Sequence, residues 1–99
     1  MGVVLEQMAR VVQDLEGTTD WEIGLKRILE NEIRRRLNRY ALTDQQFQRK
    51  YGMDFEAFRQ TGTVKQLDYS YEVESDFCDW EMAISGLRSL KHRLAEVSA

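Results

Sequence analysis

Proline is missing from the 99 residues, and glycine occurs only six times. Sandwiches, barrels and loop-rich scaffolds draw on both residues for their turns, so those architectures are disfavoured. The single cysteine, Cys78, rules out an intramolecular disulfide, and the single histidine, His92, leaves too few ligands for a Cys/His zinc site. No apolar run approaches the roughly 18 residues a membrane span requires. The first six residues, Met1-Gly2-Val3-Val4-Leu5-Glu6, carry no basic leader and meet an acid at the sixth. They do not read as a signal peptide, and Glu6 stands where a myristoylation motif asks for Ser or Thr. A cytoplasmic location is the expectation. Excess positive charge is lacking too: the net charge of −3 opposes general nucleic-acid binding.

What remains is a chain of single-domain length, 1–99, with 42% hydrophobic residues, enough to fold around one core. Its apolar residues recur at helical spacing nearly throughout. Leu5, Met8, Val12 and Leu15 alternate by three and four, Val4 and Val11 widen the stripe, and Gly17 follows as a stop. Thr19-Asp20-Trp21-Glu22 reads as a capping box opening a helix to about residue 41. Leu25, Leu29, Ile33 and Leu37 form a ridge along it. Asp20 and Glu22 at its start, and Arg34, Arg35, Arg36 and Arg39 near its end, complement the helix dipole. Thr43-Asp44-Gln45-Gln46 reads as a second box, opening a short helix that Gly52 ends. Asp54 can cap a further turn carrying Phe55 and Phe58, closed near Thr61-Gly62; residues 63–69 are ambiguous, compatible with an extended connector, and a single strand there would have no partner within this chain.

From about Tyr71 to Val97 the pattern predicts one long helix with two seams. Val73, Phe77, Trp80, Ile84, Leu87 and Leu94 form a large-residue seam of coiled-coil type, broadened by Leu90 and Val97. Opposite them Tyr71, Ser75, Cys78, Met82, Ser85 and Ser89 avoid charge altogether. Glu72, Asp76 and Asp79 line one flank; Glu74, Glu81, Arg88 and His92 line the other. Two uncharged faces imply a helix held between neighbours, either its own chain's helices or another polypeptide. Gly86 beside Ser85 favours a close helix approach. Pairing the basic end of the first long helix with the acidic start of the last gives an antiparallel hairpin. The expected fold is therefore all-α: two long antiparallel helices, an N-terminal helix and a short helical insertion over 42–70.

Chemistry is thinly supported. Three consecutive arginines on a helix point in three directions, so they build no concentrated phosphate-binding face. The acidic run from Glu72 to Glu81 lacks the glycine of a calcium loop, and Ser89 stands where a di-iron Glu-x-x-His motif would need glutamate. No metal or cofactor is expected. His92 reads as an i,i+4 surface partner of Glu96 and lies fourteen residues from Cys78, about 20 Å along one helix, too far to activate the thiol. No phosphate loop or nucleophile elbow occurs, so the expectation is a protein that is not an enzyme. The aromatic residues serve as core, unless Phe55, Phe58 or Tyr51 is exposed as an interface anchor.

Two stretches carry a family likeness: Ala41-Leu42-Thr43-Asp44 through Phe47 to Lys50-Tyr51-Gly52-Met53, Phe55-Glu56 and Phe58; and Tyr69 to Asp76 followed by Trp80-Glu81 and Ala83. With Arg34-Arg35-Arg36-Leu37 they resemble a family of small prokaryotic helical proteins, well represented in cyanobacteria and similar to the antitoxin half of toxin–antitoxin pairs. The likeness covers about residues 25–95. It implies a dimeric antitoxin that sequesters a cognate toxin, with no active-site residues to transfer. The partner face is expected at Tyr71, Glu72, Glu74, Asp76, Cys78, Asp79 and Met82. The alternatives are a homo-oligomeric helical scaffold without a toxin partner, and a nucleic-acid accessory protein using the arginine cluster.

Overall fold

The computed structural model describes residues 2–60 and 70–99. The described residues form four helices: α1 (Gly2–Glu16), α2 (Trp21–Tyr51), α3 (Phe55–Gln60) and α4 (Tyr71–Ser98). No strand occurs among the described residues. The long helices α2 and α4 pack antiparallel. Lys50 near the end of α2 meets Glu72 and Asp76 at the start of α4, while Ser98 at the far end of α4 donates to Glu30 Oε2 at 3.4 Å. The expected all-α architecture is the one observed. The expected connector at 63–69 lies outside the described residues.

Local chemistry sets the boundaries. Gly17, at φ 62°, turns the chain out of α1. Asp20, not Thr19, is the N-cap of α2: its extended backbone lets the carboxylate accept from the N–H groups of Glu22 at 3.0 Å and Ile23 at 3.4 Å. The helix then runs past residue 41, because the second capping box does not cap. Thr43 Oγ1 donates back to Arg39 C=O at 3.2 Å, and the Asp44 carboxylate accepts from Gln48 at 3.0 Å and from the Trp80 indole N–H at 2.8 Å. These side chains find partners within the helix and across to α4, so no amide needs them and the helix has no reason to restart. Gly52 does end it, at φ 68° with its N–H bonded to Gln48 C=O at 2.8 Å. Asp54 caps α3 by accepting from Ala57 N–H at 2.8 Å, and Ser70 caps α4 by accepting from Val73 N–H at 3.3 Å. The helical insertion is accordingly shorter than 42–70, since α2 itself claims residues 42–51.

The core lies at one end. Phe55, Phe58, Val73 and Trp80 are its buried members, with Phe47, Tyr51, Met53, Phe77 and Ile84 packed around them. Trp80 and Phe58 are fully buried at 0% exposure, their rings 5.1 Å apart, and Phe47 stacks on Trp80 at 5.5 Å. Phe55 and Phe58 are thus core residues, and Tyr51 is half-buried against them, so none of the three stands out as an interface anchor. Farther along the α2–α4 hairpin, Ala83 is buried and Ile33, Leu37, Leu87, Leu90, Leu94 and Val97 are half-buried. Gly86 sits against Tyr40 so tightly that a β-carbon there would stand 2.6 Å from the ring. At the opposite end α1 crosses α2 at Gly24, where a β-carbon would lie 2.7 Å from Val12 Cγ1. The helix α1 makes contact with α2 but not with α4. The molecule measures 58 × 23 × 18 Å.

Candidate functional site

The first seam of α4 faces inward as its spacing implies. The second does not find a neighbour among the described residues: Tyr71, Cys78, Met82, Ser85 and Ser89 are exposed, and Ser75 alone is half-buried. The described helices therefore leave this seam uncovered. Three of its members are serines, whose hydroxyls water satisfies, so its apolar content rests on Tyr71, 88% exposed, and Met82, 65% exposed.

The seven residues expected to form a partner face divide into two sets. Glu72 and Asp76 turn toward α2. Lys50 Nζ donates to both carboxylates at 2.6 Å, and the Tyr51 hydroxyl donates to Asp76 Oδ2 at 2.5 Å. Burial pushes the Asp76 carboxyl up, but the bonds from Lys50 and Tyr51 outweigh it and hold the acid below its ordinary value. Burial and the same contact raise the Tyr51 hydroxyl to about 12, and the two carboxylates hold Lys50 firmly protonated. This knot fastens α4 to the end of α2. It replaces the expected pairing of the arginine cluster with the acidic start of α4, because continuation of α2 to Tyr51 carries Arg34–Arg36 too far back. Those arginines pair within their own helix, Arg34 with Glu30 at 3.7 Å, Arg36 with Glu32 at 2.9 Å, and Arg35 with Glu32. Hydrogen bonds from Arg36 and Arg35 keep the Glu32 carboxyl below its usual range.

The second set points away from the core. Tyr71, Glu74 and Cys78 are exposed along the outer face, and neither Glu74 nor Asp79 forms an ion pair among the described residues. Asp79 and Met82 line a shallow groove of about 270 Å³ whose other walls are Tyr40, Thr43, Phe47 and Ala83. Sequence reading did not bring Thr43 and Phe47 to this groove because it ended that helix at about residue 41. The signal was there, since Tyr40, Asp44, Phe47 and Tyr51 continue the same helical face. His92 pairs with Glu96 at 3.1 Å as expected. No cluster of three or more His, Cys, Asp or Glu suited to a metal occurs among the described residues, and no helix of the described residues is long and apolar enough to cross a membrane.

Comparison with known proteins finds no matching family model, no similar curated protein and no similar solved structure.

Proposed function

We propose that this protein is a non-enzymatic interaction module of the antitoxin kind, neutralising a cognate toxin by covering its working surface with the outer face of α4. The observation that carries this reading is the bare outer seam, with Met82 65% exposed on the rim of an apolar-walled groove beside Asp79, which forms no ion pair among the described residues. Tyr71 supplies an anchor of the type that dominates interface energies, and Met82 is of a residue type enriched at interfaces. Glu74 and Asp79 supply negative charge free to steer and orient a basic partner, such as the active site of an RNA-cleaving toxin. Glu72 and Asp76 contribute to the local field, but their main task is internal.

Coexpression with the product of the adjacent open reading frame tests this function. The expected result is copurification and restored growth, both lost when Tyr71→Ala and Met82→Glu are combined while helicity is kept. Failure of the natural chain both to copurify and to rescue growth overturns the reading.

A second reading, a homo-oligomeric helical scaffold without a toxin, is favoured by a different observation. Apolar residues are bare on α1 and on the first turns of α2, where Leu25 and Leu29 leave the expected ridge partly uncovered.

A further inference from the structure

We propose that the outer apolar line of α1 seats a second copy of this chain, with the two α1 helices packed antiparallel across a two-fold axis. This deepens the self-association reading, rests on it, and is independent of the toxin.

Surface area gives the first argument. A compact monomer of 11.7 kDa exposes about 5,900 Å². This chain exposes 7406 Å², an excess of about 1,500 Å², and a standard interface removes about 800 Å² from each partner. The dimensions agree. A compact chain of this length has a radius of gyration near 13 Å, and here it is 19.4 Å. The fold leaves uncovered as much surface as a stable dimer needs to bury.

The location follows from exposure. On α1, Val12 and Ala9 turn toward α2 and are half-buried, whereas Val4, Met8, Val11 and Leu15 are all between 55% and 69% exposed. No other part of the described surface gathers four large apolar side chains along one line of a helix. Their spacing is four, three, four, the same when read backwards. An antiparallel two-fold mate therefore presents the same knobs at the same intervals, as an isologous contact requires. In that register Val4 lies opposite the partner's Leu15, and Met8 lies opposite the partner's Val11. Each layer then joins a larger and a smaller side chain, which interdigitate without voids.

Charge argues against a membrane as the occupant. Outside its apolar line α1 carries Glu6, Asp14 and Glu16 against a single Arg10. Interfacial helices that bind anionic lipid carry the opposite excess.

Analytical ultracentrifugation of the full chain at tens of micromolar tests the proposal. The expected mass is about 23 kDa, twice the 11.7 kDa chain. The double variant Met8→Glu, Val11→Glu should sediment as a monomer with Trp80 fluorescence unchanged. Association should weaken at least about 100-fold, because carboxylates would be buried without partners. Met82→Glu, on the other face, should leave the dimer intact. A natural chain of any mass other than a dimer overturns the proposal, as does a double variant that stays dimeric or dissociation by Met82→Glu.

Should the double variant lose its helicity, the milder Leu15→Ser and the melting temperature decide the matter. A dimer melts higher as concentration rises, and Leu15→Ser should flatten that slope. A natural chain whose melting point ignores concentration overturns the proposal. A monomer that still captures the toxin sinks the dimer and spares the toxin reading; a dimer with no toxin does the reverse.

Discussion

At the scale of the residue, Asp76 shows how one carboxylate is given an internal task. It accepts from Lys50 and from Tyr51, and its side chain is only 15% exposed. Because its acidity is strengthened in the folded chain, the unfolded chain takes up the proton first as pH falls. The stabilisation is therefore complete above the ordinary aspartate value of 3.8 and drains away below it. The Tyr51 hydroxyl works in the other direction. Its contribution is complete below its ordinary value of 10.0 and is lost as pH rises toward about 12. Asp76→Asn is expected to cost about 1–3 kcal/mol at neutral pH. It should also flatten the acid limb of the stability profile, as urea titrations from pH 7 to pH 3 would reveal. An unchanged acid limb would mean that the knot contributes nothing to pH dependence.

At the scale of the element, α2 and α4 meet where small residues permit it. The Tyr40 ring occupies the space beside Gly86, so Gly86→Val must displace it, and we expect a loss of about 2 kcal/mol. Combining that change with Tyr40→Ala should recover part of the loss, and a purely additive cycle would show that the two do not touch. Helix α4 was legible because its inward seam, Val73 to Leu94, alternates four and three with Lys91 as the one interruption. The end of α2 was not. Thr43 and Asp44 have the chemistry of a helix start, and sequence alone does not show that Asp44 is engaged by Trp80, thirty-six positions away. For the same reason the groove around Met82 was only half visible, its α4 wall being legible and the Thr43 and Phe47 part of its α2 wall hidden. Glu72 and Asp76 were matched to the arginine cluster instead of Lys50, since Lys50 reaches them only once α2 is known to continue.

At the scale of the whole molecule, the aromatic core occupies one end of a 58 Å rod. At the other end Gly24 is the only buried residue among the described ones. Local opening should follow this gradient. In the monomeric Met8→Glu, Val11→Glu variant, amide hydrogens of α1 are expected to exchange at least about tenfold faster than those flanking Trp80. Equal rates along the chain would show that the rod unfolds as one unit. The same uneven layout supplies two built-in optical reporters. The chain has two tryptophans, Trp21 half-buried at the corner where α1 meets α2, and Trp80 sealed among Phe47, Phe55 and Phe58. A binding event at the far tip should change the quenching of Trp21 while the emission of Trp80 stays constant, and global melting should move both. With Trp21→Phe and Trp80→Phe variants, occupancy and collapse become separable signals in one label-free cuvette titration.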